Sequence, residues 1–116
     1  MRRAIVVLAA GSLARLAAAD VSGEWKLEGE IAGVRISRVC ALKQEGSKLS
    51  GKCKNPQNEV AIEGEVNDKS VTWRYDTDYM GTQLTLTYQG SLESASAIKG
   101  TIQAADVTGS FTATKQ

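Results

Sequence analysis

The sequence predicts an all-β protein: a single eight-stranded antiparallel up-and-down β-barrel with one disulfide in a hairpin. First, the pattern apolar-x-Gly-x-apolar occurs seven times and uses seven of the eleven glycines. This alternation is typical of strands, and repeated glycines inside strands favour a sharply curled, closed sheet. Second, the connections are short, and third, no segment after residue 19 has the length and periodicity of a helix. The glycines of the pattern are Gly23, Gly29, Gly51, Gly64, Gly90, Gly100 and Gly109.

Residues 1–19 have the layout of a secretory signal peptide. Arg2 and Arg3 form a basic start, an apolar run begins at Ala4, and residues 17–19 are alanines suited to cleavage. The run is too short to span a membrane, and no cysteine follows it for a lipid anchor. We therefore expect a periplasmic or secreted protein without a membrane anchor. The alternative is a short N-terminal helix packed on the domain.

Residues 20–116 are predicted to form the barrel domain. The predicted strands are residues 21–31, 34–44, 49–54, 59–66, 70–76, 82–93, 97–104 and 107–114. The connections carry turn-forming residues, and the only proline, Pro56, lies in one of them. This is expected because proline cannot donate to a strand ladder. At this number of strands the interior is filled or nearly filled, with room for at most one small ligand.

The two cysteines indicate the register of one hairpin. If the turn lies at residues 45–48, Gln44 stands opposite Leu49 and Cys40 stands opposite Cys53. The two sulfur atoms would then be close enough to bond. In an exported domain this disulfide would be a structural staple. A redox pair is the alternative, but the close spacing of a redox motif is lacking.

Composition excludes several classes of function. The chain has no histidine, which excludes Ser-His-Asp and Cys-His catalysis and removes the commonest transition-metal ligand. Without residues 1–19, which hold three of the 14 basic residues, 11 basic and 13 acidic residues remain. This mild acidity, without a basic block, predicts no nucleic-acid partner. We also expect no cofactor and no metal, and a monomer, because a closed barrel leaves no free strand edge.

Period-two alternation assigns side chains to the barrel interior. The predicted inward residues are Trp25, Leu27, Val34, Ile36, Arg38, Cys40, Leu42, Leu49, Cys53, Val60, Ile62, Val66, Val71, Trp73, Tyr75, Leu84, Leu86, Tyr88, Leu92, Ile98, Ile102, Val107 and Phe111. The aromatic residues Trp25, Trp73, Tyr75 and Tyr88 are either core or the walls of a cavity that the glycines leave open.

Arg38 is the exception among the inward residues. A buried guanidinium without a partner would be very costly. Arg38 therefore has an internal partner, binds an anionic ligand, or is turned outward by a bulge that gives the inward position to Val39.

The segment from Arg74 to Gly81 is the richest polar cluster and is predicted to join two strands at a barrel mouth. Asp76 and Asp78 are candidates for a general base or a weak calcium site. The alternative is a solvated turn, since turns favour aspartate and glycine.

The start of the domain, Val21-Ser22-Gly23-Glu24-Trp25-Lys26-Leu27, resembles the Gly-x-Trp opening strand of lipocalin- and avidin-like barrels. That resemblance implies that Trp25 plugs one barrel end. The segments 42–51, 98–102 and 109–113 look like small secreted bacterial lipocalin-like domains, mostly without an assigned function. Residues 22–27 are also similar to the opening of secreted bacterial inhibitors of metalloproteases, whose N-terminal segment enters the protease cleft.

Three functional hypotheses follow from these observations. The leading one is an exported barrel that binds a small, mostly apolar molecule between Trp25, Trp73, Tyr75 and Tyr88, with an acidic or polar group of the ligand at Arg38. The second is a cofactor-free acid–base isomerase or cyclase that uses Asp76, Asp78 or Tyr75 in the same cavity. The third is an inhibitor of an exported hydrolase.

Overall fold

The computed structural model describes residues 20–116, and the predicted signal peptide, residues 1–19, lies outside the described residues. The strands are β1 Gly23–Ile31, β2 Val34–Glu45, β3 Lys48–Lys54, β4 Glu59–Asn67, β5 Ser70–Tyr79, β6 Thr82–Ser94, β7 Ala97–Ala104 and β8 Val107–Lys115. Within residues 20–116 no helix is long and apolar enough to span a membrane.

The strands form one closed barrel in chain order. Each strand pairs with the next in antiparallel fashion, and β8 returns to pair with β1. The predicted fold class is therefore confirmed. The main difference in strand bounds is at β5, which was expected to end at residue 76 but continues to Tyr79. The turn after it is then the two residues Met80 and Gly81, both with positive φ, as a tight hairpin requires.

The meander gives the barrel two ends of different character. The packed end carries the turns at residues 46–47, 68–69 and 95–96 together with residues 20–22. The open end carries the turns at residues 32–33, 80–81 and 105–106 and the longer connection at residues 55–58.

The Cys40–Cys53 disulfide is present, and its residues stand opposite each other in the β2–β3 ladder. Gln44 pairs with Leu49 in the same ladder, so the register predicted from the turn is confirmed. A bridge with a sequence separation of 13 residues contributes about 3 kcal/mol of stability in the loop-entropy account. The bond indicates an oxidising compartment outside the cytoplasm.

The core fills the barrel from the packed end towards the open end, and most of the predicted inward residues belong to it. The buried hydrophobic residues are Val21, Trp25, Leu27, Ile31, Cys40, Leu42, Leu49, Cys53, Ile62, Val66, Val71, Trp73, Tyr75, Leu86, Tyr88, Ile98, Ile102, Ala104, Phe111 and Ala113. Val34 and Val107, also predicted to point inward, lie outside the core and are 40% and 39% exposed. Both begin strands at the open end, where the core no longer covers the inner face.

The packed end is closed by Trp25 and the residues before β1. The Trp25 indole, 1% exposed, donates from Nε1 to the carbonyl oxygen of Val21 over 2.9 Å. The backbone nitrogen of Val21 in turn donates to the side-chain oxygen of Gln44 over 2.8 Å, and Val21 is fully buried. Residues 20–22 are thus held against the barrel and complete its floor.

The wall between β4 and β5 is incomplete towards the open end. β4 pairs with β3 from Glu59 to Glu65, and β5 pairs with β6 along its whole length. The ladder between β4 and β5, however, stops at the pair Glu63–Arg74. Residues 59–62 and 75–79 therefore flank a gap in the ladder, with a pocket of about 260 Å³ beside it. We call this gap the side slot.

Candidate functional site

A cavity of about 530 Å³ occupies the open end of the barrel. Its apolar lining consists of Ile31, Ala32, Val34, Ile36, Leu84, Leu86, Ala104, Ala105 and Val107. Its polar lining includes Arg38, Asn55, Asn58, Tyr75, Thr77 and Asp78. The lining is thus mostly aliphatic, with the polar groups gathered on β2, β5 and the connection at residues 55–58.

An aromatic cluster lies next to this cavity. The rings of Trp73 and Tyr88 are stacked with centroids 5.3 Å apart, and Phe111 meets Tyr88 edge-on at 5.2 Å. Tyr75 stacks on Tyr88 at 5.8 Å and is the member of the cluster that lines the cavity. The cluster lies at the boundary between the core and the cavity, and Tyr75 packs on it from the cavity side.

The hydroxyl groups of Tyr75 and Tyr88 form a buried hydrogen bond of 3.0 Å in which either oxygen can donate. Tyr88 is fully buried, and its hydroxyl has no other partner among the described side chains. Because buried hydroxyl hydrogens are normally paired, we infer that the fully buried Tyr88 hydroxyl donates this hydrogen bond and that the Tyr75 oxygen accepts it. The hydroxyl hydrogen of Tyr75 is then free to bond to a group in the cavity.

Burial, with a further contribution from Tyr75, raises the pKa of Tyr88 above its ordinary value of 10.0. The unfolded chain loses this proton near pH 10.0 whereas the folded protein keeps it, so stability should fall as the pH rises above that value. The expected slope is about 1.4 kcal/mol per pH unit. Denaturant unfolding across alkaline pH should show this slope in the wild type and a shallower one in Tyr88→Phe. A tyrosinate signal from folded Tyr88 near pH 10.0 would contradict the expectation.

Arg38 lies on the inner face of β2 and reaches towards the side slot. Its guanidinium donates to the side-chain oxygen of Asn58 over 3.2 Å and lies 5.4 Å from the centroid of the Tyr75 ring. The pairing of β1 with β2 runs without a shift from Gly23–Leu42 to Ile31–Val34. A bulge that turns Arg38 outward is therefore not what the structure shows.

The structure separates the residues predicted to bind a ligand. Arg38 and Tyr75 line the cavity, while Trp73 and Tyr88 belong to the core and do not line it. Trp25 lies at the packed end, bonded to Val21. The expectation that all four rings form cavity walls is thus met by Tyr75 alone, because the aromatic residues pack on one another and aliphatic residues form the walls.

The predicted catalytic residues Tyr75, Asp76 and Asp78 do not converge on one point. All three lie in β5, rather than in a turn after residue 76. Tyr75 is buried, whereas Asp76 is exposed and accepts a 2.6 Å hydrogen bond from the Thr85 hydroxyl. Asp78 is exposed at the rim of the cavity. Alternation along the strand places neighbouring residues on opposite faces, which separates the carboxylate of Asp76 from the phenol of Tyr75.

The protease-inhibitor hypothesis needs a free N-terminal segment. The hydrogen bonds of Val21 to Gln44 and Trp25 tie the start of the described chain to the barrel. Residues 20–22 are therefore not available to enter a cleft without disrupting the packed end.

Several residues that line the cavity were not predicted from the sequence. Asn58, the partner of Arg38, lies in a connection whose fold the local pattern does not indicate. Ile31 and Ala104 line the cavity at the ends of β1 and β7. The sequence pattern does indicate Ile31 and Ala104 as lining residues, since both follow the inward period-two alternation at a strand end on the open side of the meander. No group of three or more acidic or cysteine side chains suited to a metal ion occurs in residues 20–116.

Comparison with known proteins adds support at the level of the fold. No protein-family model matches this sequence, and no curated protein matches it. Among solved structures the chain is similar to a redesigned beta barrel, with a TM-score of 0.60 and 16% identity over 83% of this chain and 91% of that chain. At that identity the likeness shows a shared barrel architecture only.

Proposed function

We propose that the protein is an exported barrel that binds a small, mostly apolar molecule in the cavity at its open end. The observation that carries this proposal is the cavity itself, about 530 Å³ with a mainly aliphatic lining. Cavities of this size and lining are typical of small-molecule sites. A small domain gains stability from every apolar contact, so an unfilled apolar end is a feature that stability alone does not explain.

Two further observations support a role outside the cytoplasm. The Cys40–Cys53 bond needs an oxidising compartment, and the predicted signal peptide provides the route to a periplasmic or secreted location. The position of Trp25 at the packed end agrees with what the resemblance to lipocalin-like barrels implies.

Filling the cavity should abolish binding. Ala104 is 8% exposed and lines the cavity, whereas its neighbour Gln103 is exposed on the outer face of the same strand. We expect Ala104→Phe to weaken the binding of N-phenylnaphthylamine, a neutral fluorescent apolar probe, by at least roughly tenfold. Gln103→Phe adds the same ring to the opposite face and should leave the affinity unchanged.

The measurement is a fluorescence titration of the protein produced from the full-length chain, with the melting temperature of each variant recorded. Equal affinities of the two phenylalanine variants would place the probe outside the cavity and contradict the proposal. A wild-type protein that binds neither this probe nor any co-purified small molecule, as seen by native mass spectrometry, would do so as well.

A further inference from the structure

Arg38 reaches from β2 across the cavity to Asn58 and Tyr75 and carries a charge without a carboxylate partner among the described side chains. The ion pairs within residues 20–116 join Lys26 to Glu28, Lys43 to Glu45 and Arg74 to Glu65. The contacts of the Arg38 guanidinium are instead a neutral amide and an aromatic ring. A guanidinium has five N–H donors and no acceptor, so most of its hydrogen-bonding capacity is unused.

A hydroxyl donor is carried by the ring that lies against Arg38. The Tyr75–Tyr88 bond uses one of two hydroxyl hydrogens, and the other has no acceptor among the described side chains. Tyr75 is 6% exposed, and the same ring that carries this hydroxyl lies against Arg38. Because burial raises the pKa of Tyr88, the Tyr88 hydroxyl stays neutral and adds no negative charge. The site thus offers a cation and a hydroxyl donor, and neither is bonded to a carboxylate among the described side chains.

The acidic residues that line the cavity and the side slot do not fill this role. Asp78 lines the cavity but is exposed at its rim and forms no ion pair with Arg38. Glu63 and Asp76 line the pocket beside the side slot, where Glu63 is exposed and the carboxylate of Asp76 is bonded to Thr85. Both acidic side chains of β5 are thus engaged elsewhere or solvated.

We propose that the ligand is an amphipathic monocarboxylate whose carboxylate is bound by Arg38 and the hydroxyl group of Tyr75 at the side slot. The apolar body lies along Ile36, Leu84 and Leu86. This inference rests on the proposed function and adds the chemical class of the ligand. A planar guanidinium beside a hydroxyl donor matches the two oxygens of a carboxylate. The flanking aliphatic walls match a hydrocarbon chain or ring.

A matched pair of probes tests the proposal. Decanoate and decanol share one hydrocarbon chain and differ in the head group. Each is measured by calorimetry and by displacement of N-phenylnaphthylamine from the protein produced from the full-length chain. We expect decanoate to bind the wild type more tightly than decanol, and Arg38→Gln to weaken decanoate by roughly tenfold or more while leaving decanol nearly unchanged. Tyr75→Phe keeps the ring against Arg38 and should weaken decanoate by about fivefold.

Lys99→Gln is the control for the loss of one positive charge. Lys99 is exposed on the outer face of β7 and lines neither the cavity nor the pocket beside the side slot, and the variant should bind both probes as the wild type does. Equal affinities for the two probes in the wild type would overturn the carboxylate assignment and leave the proposed function standing. Equal losses for both probes in Arg38→Gln would assign Arg38 a structural role and also overturn it. If neither probe binds, the proposed function itself fails.

Discussion

Replacing Trp25 with alanine is expected to cost roughly 3–5 kcal/mol of folding stability, the range typical of removing a buried tryptophan. Trp25 is 1% exposed, and its indole bonds to the carbonyl oxygen of Val21, so the variant loses both the floor of the barrel and the anchor of residues 20–22. For a domain of this size the loss corresponds to a fall in melting temperature of roughly 15 °C or more. Thermal unfolding followed by circular dichroism measures it.

Two further variants define the origin of that effect. Trp25→Phe keeps a ring in the floor but removes the donor to Val21, and should cost about 1–2 kcal/mol. Met80→Ala shortens a side chain that is 87% exposed and should change stability by less than about 0.5 kcal/mol. A Trp25→Ala protein that melts within a few degrees of Met80→Ala would show that the packed end does not depend on this residue.

Replacing Gly64 with alanine is expected to cost roughly 3 kcal/mol. Gly64 lies opposite Trp73 in the β4–β5 ladder, and a methyl group at this position would overlap the backbone carbonyl of Thr72. Since the obstacle is the neighbouring backbone rather than a flexible side chain, only a shift of the strand can relieve it. The ladder is already short there, so its displacement would disturb the aromatic cluster through Trp73.

Gly46→Ala is the matched control for this substitution. Gly46 has a φ of 64° in the turn between β2 and β3, and no atom lies within 4 Å of the position of an added methyl group. Its cost should be about 1 kcal/mol, from the left-handed backbone alone. Denaturant unfolding gives the free energy of unfolding of both variants. It compares the steric cost at Gly64 with the cost of backbone conformation at Gly46. A larger loss for Gly46→Ala than for Gly64→Ala would refute the account of Gly64.

The barrel and the register of its disulfide-bonded hairpin could be predicted from the sequence because local rules determine them. Alternation assigns Trp73 and Tyr88 to the interior, and a tight turn fixes Cys40 opposite Cys53 without knowledge of any distant strand. The repeated glycines predicted a closed sheet, and the sheet is closed. At Gly64 the close approach of two strands also excludes a side chain. These features depend on neighbours in the chain or across one hairpin.

The candidate site depends on contacts that alternation does not encode. Whether an inward position is core or cavity wall depends on its distance from the packed end. Val34 and Val107 follow the inward alternation, but they line the cavity and are exposed. Arg38 was correctly placed on the inner face, but its partners Asn58 and Tyr75 come from a connection and from a strand that is not its neighbour. The side slot is likewise invisible in the sequence, since nothing local marks where the β4–β5 ladder ends.

The side slot determines where neighbouring strands of the barrel separate most easily. The β4–β5 seam has the shortest ladder of the barrel within residues 20–116, whereas the β2–β3 seam is joined by a covalent bond. Local opening of a protein begins where the fewest backbone bonds must break. The amides of residues 59–62 and 75–79 that bond to no neighbouring strand should therefore exchange with solvent fastest among the strands. A ligand that joins Arg38 of β2 to Tyr75 of β5 would span this seam, so that occupancy of the site and slower exchange at the seam should rise together.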